Sequence, residues 1–336
     1  MADRRDGRRI RASRRCRPRS NTVAGVAFGV AKKPTLSHRI EYVALRAFTA
    51  ALAPFGVRGA GRIAGAIAEL GYWPFGVRRG VVERQIRAAF PEFDATRVEA
   101  VARESYRNIG RVTVEASLLS AMPEGSALEY FAPSPTWERL EAARALGKGV
   151  ILISGHIGNW ELAAAYIAAR KVEVSAVARG MSNPLSDAYI RSTREKLGVH
   201  IMHDQEAVRR LPRALRDQHV VGVLSDQATV GLASTYVNFF GRPAKTPRGA
   251  AVFALRGAVP VVFLAAVRLP DGRYECVCED IEITHTGDRE KDVDDIIIRF
   301  THVLENLVRK YPGQYFWQHR RWKHQPADTP PELREP

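Results

Sequence analysis

Residues Ile151 to Tyr166 read ILISGHIGNWELAAAY and set a histidine between Gly155 and Gly158, with an acid five positions after it. Imidazole titrates near neutrality, so it can take a proton from a hydroxyl and give it back. The run GVILIS feeds Gly155 directly, which places His156 at the carboxyl end of a strand, in the turn before a helix that Asn159 can cap. A spacing of five does not put two residues on one face of a regular helix. If Gly155 and Gly158 let the backbone fold tightly, Glu161 in the first helical turn reaches back and hydrogen-bonds one imidazole nitrogen. The other nitrogen then faces the cleft as a base oriented by a carboxylate, without a nucleophilic serine. The competing account is a buried histidine that fills a turn, followed by a glutamate favoured by the helix dipole. The Gly-His-x-Gly-Asn pattern weighs against it, because a core histidine gains little from two flanking glycines.

The elements that must position this turn are legible as runs. GVILIS, VEVSAVA, VHIMH, VVGVLS and VPVVFLAAV are apolar and strand-like, and they alternate with helical stretches such as NPLSDAYIRSTREKLG and KTPRGAAVFALRGA. Nearly continuous apolar strands separated by amphipathic helices predict an α/β fold: a mainly parallel central sheet flanked by helices. Sites in such sheets gather at the carboxyl ends of the strands. A strand pair follows around Val267 to Ile283, then a helix over DVDDIIIRFTHVLENLVRKYP, acidic at its start and basic at its end as the macrodipole favours. Residues 37 to 75 repeat apolar side chains at helical spacing, divided at Pro54 and Gly56, and two more helices are expected between Val81 and Met122, the second capped by Asp94 or Thr96. The 37 to 75 pair covers the core, or lies in a membrane interface with Tyr72, Trp73 and Phe75 at headgroup level and Arg46, Arg58 and Arg62 on lipid phosphates. The expected organisation is a disordered basic tail over 1–35, a single domain over 36–325 (helices 36–122, α/β core 123–325) and a disordered tail over 326–336.

The formal net charge of +15 over 336 residues attracts phosphates on nucleic acid, nucleotides or anionic lipid. Residues 1 to 33 carry nine Arg and two Lys against two Asp, a net +9. Cys16, Cys276 and Cys278 form no CxxC pair, which suits a reduced compartment and makes metal ligation by them an unneeded assumption. A metal site at His200, His203 and Asp204 is also set aside, since i and i+3 in a strand point to opposite faces. TVAGVAFGVA has the outline of a signal peptide but ends in Lys32 and Lys33, and no stretch of about 18 uncharged apolar residues predicts a bilayer-spanning helix. A serine hydrolase lacks its Gly-x-Ser-x-Gly elbow, and no phosphate-binding glycine loop follows a strand. A basic nucleic-acid-binding protein is the alternative from another class, although most of the excess charge sits in the tail.

Four blocks in order carry a resemblance. SGHIGNWE resembles the His-x4-Glu/Asp motif of the bacterial lipid A biosynthesis acyltransferase family, which includes the phosphatidylinositol mannoside acyltransferases and belongs with the glycerolipid acyltransferases. ARGMSNPLSDAYIRSTREKLG is similar to its Arg-x3-Asn-Pro block. The Asp-Gln, Phe-Phe-Gly and Thr-x-x-Gly blocks follow at Asp226, Phe239 and Thr246, and YPGQYFWQHRRWK resembles the terminal Trp-x-His-x-Arg-Trp-Lys. The likeness runs from Glu41 to Lys323. It implies a glycerolipid acyltransferase-like fold with a membrane-facing N-terminal helical segment, and an O-acyltransferase peripheral or monotopic at the cytoplasmic face of the inner membrane. It also implies a thioester donor on acyl carrier protein or coenzyme A, a glycolipid or lysophospholipid acceptor, an anionic lipid surface as partner, no specific nucleic acid, no metal and no other cofactor.

In the mechanism so implied, His156 is the general base and Glu161 holds its tautomer. Backbone N–H groups at the start of the Asn159 helix meet the thioester oxygen. Arg179, beside Asn183, suits a phosphate of donor or acceptor. Asp226 and Gln227 hold acceptor hydroxyls, orient Arg179, or pair structurally. Phe239 and Phe240 border an acyl channel or simply pack, Thr246 belongs to the substrate-binding set, and Arg320, Arg321, Trp322 and Lys323 contact a headgroup or carrier.

Overall fold

The computed structural model describes residues 33–228 and 232–336, and Pro34–Pro336 forms one compact unit. The expected basic tail lies outside the described residues up to residue 32. Helix α1 (Leu36–Leu52) starts at a capping box in which Thr35 and His38 exchange side-chain and backbone bonds. Pro54 sits in a short 3-10 turn, after which α2 (Gly56–Glu69) runs on, so the division at Pro54 and Gly56 is where the structure breaks. Helices α3 (Arg79–Ala89) and α4 (Ala95–Leu119) follow, the latter capped by Asp94. α2 packs tightly on α4: a Cβ at Gly110 would lie 2.3 Å from the Ala64 carbonyl oxygen.

The core then alternates: α5 (Trp137–Ala145), β1 (Val150–Ser154), α6 (Trp160–Ala169), β2 (Val174–Ala178), α7 (Pro184–Lys196), β3 (Val199–His203), α8 (Asp204–Arg216) and β4 (Val220–Leu224). After the hairpin β5 (Ser234–Phe239) and β6 (Arg242–Pro247) come α9 (Gly249–Gly257), β7 (Val261–Arg268), β8 (Tyr274–Ile281) and α10 (Arg289–Lys310). The six-stranded sheet has the order β3-β2-β4-β1-β7-β8; β8 alone runs antiparallel to its neighbour. Every residue of β1 is buried, and its alternate side chains feed two cores: Ile151 and Ile153 join one, Val150 and Leu152 the other. That two-sided burial is why the run reads as continuously apolar. Residues Lys245 to Pro247, assigned to a helix from sequence, belong instead to β6.

Three features differ from expectation. Tyr72 is fully buried, with its hydroxyl donating to Glu83, so it does not sit at a headgroup level, whereas Trp73 and Phe75 are 59% and 73% exposed. Leu36, Ile40, Val43 and Phe55 also project outward from α1 and the turn after it. By length and composition, the 34-residue stretch Leu36–Glu69 is apolar enough to cross a membrane, a span not expected from the pattern of apolar runs. Residues 326–336 are held in place rather than loose. Pro331–Leu333 forms a 3-10 turn, Arg242 donates to the carbonyls of Glu332 and Arg334, and Gln325 donates to that of Leu333.

Candidate active site

β1 and β4 are neighbours in parallel register, Val150 facing Val220 and Ser154 facing Leu224. Carried two residues past the strands, that constant offset of 70 sets His156 beside Asp226. The ring Nδ1–H donates to Asp226 Oδ1 at 2.7 Å, and the backbone N–H of His156 donates to Oδ2 at 3.0 Å. Both carboxylate oxygens are therefore spent on one residue. Burial on its own raises the Asp226 pKa, but the charge and hydrogen bonds of His156, with the charge of Arg321, bring it down to about 2. An ionised Asp226 fixes the proton on Nδ1. The side chain of His156 is 20% exposed, and its Nε2 has no hydrogen-bond partner among the described residues.

The turn is clamped from the other side by the C-terminal segment and by β7. Gly158 N–H donates to the Gln314 carbonyl, Phe316 N–H to that of His156, and Asn159 N–H to that of Ala266. Gly158 has φ of 63°, and a Cβ there would stand 1.9 Å from the Ala266 oxygen, so both the left-handed backbone and the space require glycine. Trp160 packs edge-on against the His156 ring at 4.9 Å between centroids. Buried Tyr315 keeps its hydroxyl protonated through burial and the nearby negative charge of Asp226.

Glu161 does not reach His156. It forms a bidentate pair with Arg194 of α7, at 2.6 and 2.8 Å, which ties α6 to α7. The orienting carboxylate is Asp226, so the predicted partnership is corrected. Asn183 caps α7 and donates to Glu41 and to the His38 carbonyl, so its side chain fastens α1 to α7. Asn159 is likewise enclosed. Its Oδ1 caps α6 and its Nδ2 donates to Glu115 and Tyr274, part of a buried network that also holds Arg268. Its amide is taken by Ala266, which removes it as a donor to a thioester oxygen. Phe239 and Phe240 sit inside an aromatic cluster with Phe90, Tyr315, Trp317 and Trp322, so they pack rather than border a channel.

A cavity of about 250 Å³ is lined by Arg179, Lys245, His319, Arg320, Arg321 and Lys323, with no carboxylate in its wall among the described residues. Arg179 is exposed there, as the sequence places it, while Gln227 is half-buried next to the dyad. Buried Thr246 accepts from Arg321 Nη2 at 2.6 Å, and the Lys245 carbonyl accepts from Nη1. Thr246 thus acts by holding an arginine in the cavity wall.

His319 was not singled out among the candidates. Burial, with the positive charges of Arg321, His156 and Arg78, outweighs the pull of Asp226 and drops its pKa from 6.5 to about 4. The folded protein therefore holds His319 neutral where an unfolded chain takes up a proton. Its contribution to stability is complete above pH 6.5 and is lost as pH falls toward 4, on the order of 3 kcal/mol in all. Urea midpoints of wild type and His319→Gln across pH 4 to 7 check this. The variant should show the shallower dependence, and parallel curves would show that His319 does not carry it.

Residues 31–324 match the profile of a family described as bacterial lipid A biosynthesis acyltransferase. The chain is 22% identical over 267 residues to a lipid A biosynthesis acyltransferase of Haemophilus influenzae, covering 76% of this chain and 81% of that one. It is 23% identical over 255 residues to the lipid A biosynthesis lauroyltransferase of Escherichia coli, covering 75% and 81%. A shorter likeness, 27% over 122 residues and 35% and 38% of the two chains, is to a phosphatidylinositol mannoside acyltransferase of Mycobacterium tuberculosis.

Proposed function

Because the chain belongs to the bacterial lipid A biosynthesis acyltransferase family, and is thus an O-acyltransferase acting on a glycolipid, we propose that His156 is its general base and Asp226 the carboxylate that orients it. The acceptor hydroxyl gives its proton to Nε2 as its oxygen attacks the carbonyl carbon of an acyl thioester. The tetrahedral adduct collapses, the carbon–sulfur bond breaks, and the imidazolium returns the proton to the departing thiolate. The products are an ester and a free thiol. No covalent acyl-enzyme is needed, and Asp226 stabilises the imidazolium while remaining ionised. The observation that carries this is the dyad at the carboxyl edge of the sheet, with a partly exposed ring and an unpartnered Nε2.

The donor is carried on acyl carrier protein or coenzyme A. Arg179, Lys245 and Lys323 in the cavity wall suit the phosphate that either donor bears, as they suit an anionic acceptor. The enzyme works at the cytoplasmic face of the inner membrane. The outward apolar side chains of α1 and of the Trp73–Val77 loop support this, set among Arg39, Arg46, Arg58 and Arg62. The purified full chain, offered each donor in turn with glycolipid extracts, should form an ester product detectable by mass spectrometry. His156→Ala should lower its rate by about 10³-fold or more. Wild-type protein that transfers nothing from either donor, or a His156→Ala variant of normal rate, would end the proposal.

A further inference from the structure

A second cavity, of about 440 Å³, lies between α3 and the C-terminal segment, bounded by Arg78, Val81, Arg84, Gln85, Arg320 and Glu335. On α3, Arg79 and Arg87 are both engaged by Glu83, but Arg78 and Arg84 form no ion pair among the described residues. Three guanidinium groups therefore share one wall with a single acidic side chain, next to Pro336. That carboxylate, Glu335, bonds Arg320 in fork geometry, through both Nε and Nη2. The backbone that carries it is fastened by Arg242, which holds the carbonyls of Glu332 and Arg334. The protein has thus placed an oxyanion of its own on one cation of the cavity while two stay open.

Two further features say what kind of anion fits. The loop that leads into Arg78 carries Trp73, Phe75 and Val77, which are 59%, 73% and 56% exposed, so the chain enters the basic cavity from an exposed apolar segment. A phosphate with acyl chains attached matches that pairing of a basic cavity with an exposed apolar loop. Arg320 also lines the smaller cavity, next to Arg321, whose charge acts on Asp226, so whatever draws Arg320 away from Glu335 alters that wall.

We propose that this cavity binds the phosphate of an anionic phospholipid, and that Glu335 is the internal carboxylate such a lipid displaces from Arg320. The proposal rests on the reading that the enzyme works at a lipid surface. It adds a headgroup site separate from the acyl-transfer site, and a carboxylate latch that releases when the enzyme meets anionic lipid.

The test titrates the full chain calorimetrically with short-chain phosphatidylglycerol below its micelle concentration, with phosphatidylcholine of the same chain length as control. Arg84→Ala should weaken phosphatidylglycerol binding roughly tenfold, the size of one lost charge-assisted contact. Glu335→Gln should tighten it several-fold, and both variants should melt as wild type does. Charge outside the cavity is the same in all three proteins, so the differences isolate this site. Equal affinities, or weaker binding by Glu335→Gln, would overturn the proposal. So would an Arg84→Ala variant that binds the phospholipid normally but shows a raised KM for the glycolipid in neutral micelles, since the occupant would then be the acceptor. Acyl transfer by wild type is assayed separately. Normal transfer with no effect of the variants sinks the headgroup site alone; absent transfer with the expected binding sinks the transfer mechanism alone.

Discussion

Asp226→Asn lowers kcat by roughly 10³- to 10⁴-fold with little change in fold, while Glu161→Gln leaves kcat within a few-fold of wild type. The first expectation follows from where the proton on the ring must sit. Asp226 accepts from Nδ1 at 2.7 Å and from the His156 amide at 3.0 Å, and its pKa of about 2 keeps it charged through the working range. A neutral asparagine can present its NH₂ to Nδ1, which drives the proton to Nε2 and leaves no base facing the hydroxyl. The imidazolium formed during attack also loses its counter-charge. In a serine protease triad the equivalent change costs about 10⁴ in kcat. Glu161, by contrast, is bound to Arg194 at 2.6 and 2.8 Å and touches no part of the dyad. Its neutralisation leaves Arg194 partly unpaired in a largely buried place, so the loss should register in thermal stability instead. Steady-state rates and melting temperatures of the two variants separate the roles. Equal loss of turnover in both would restore Glu161 to the catalytic group, and unimpaired turnover in Asp226→Asn would remove Asp226 from it.

The contrast between those two acids marks how far the sequence could be read. His156 and its place at a strand end were legible because GVILIS is a continuous apolar run followed at once by glycine. The stretch VVGVLS, followed by Asp226, carries the same signal with the acid again just past the strand. What the sequence does not encode locally is which strands are neighbours. β1 and β4 lie side by side although two strands and three helices separate them along the chain, and only that adjacency brings His156 onto Asp226. Glu161 was the nearer acid in sequence, but α7 supplies an arginine to it from 33 residues away. Asn159 was readable as a cap and Asn183 only as a polar group beside Arg179, and both prove to be caps whose amide groups are bonded to neighbouring elements. The β5–β6 hairpin was missed for a different reason. Its two-residue turn is Phe240-Gly241, both with positive φ, where the usual signal is Asn-Gly, and Pro243 and Pro247 make β6 look unlike a strand. The parallel sheet and its flanking helices, which depend only on the spacing and length of apolar runs, were read with few errors.

The second large effect is expected at Gly158, where Gly158→Ala should destabilise the fold by about 2 to 5 kcal/mol and reduce turnover as well. An alanine at φ of 63° costs about 1 to 2 kcal/mol in backbone sterics alone. The added methyl would also lie 1.9 Å from the carbonyl oxygen of Ala266 and 2.8 Å from its carbon, backbone atoms of β7 that cannot swing aside as a side chain can. Relief requires the turn to lift from the sheet edge, at a further cost of about 1 to 3 kcal/mol for overpacking. Lifting pulls on three bonds that fix the site: Gly158 N–H to Gln314, Asn108 Nδ2 to the Gly158 carbonyl, and Asn159 N–H to Ala266. His156 is two residues away on the same turn, so it moves with it. A shift of about 1 Å in a catalytic base is enough to cost on the order of 10²-fold in rate. Urea unfolding gives the first quantity and kcat at a temperature where the variant remains folded gives the second. A variant with wild-type stability would mean that the turn yields easily, and the tight approach to β7 would then not be what holds His156 in place.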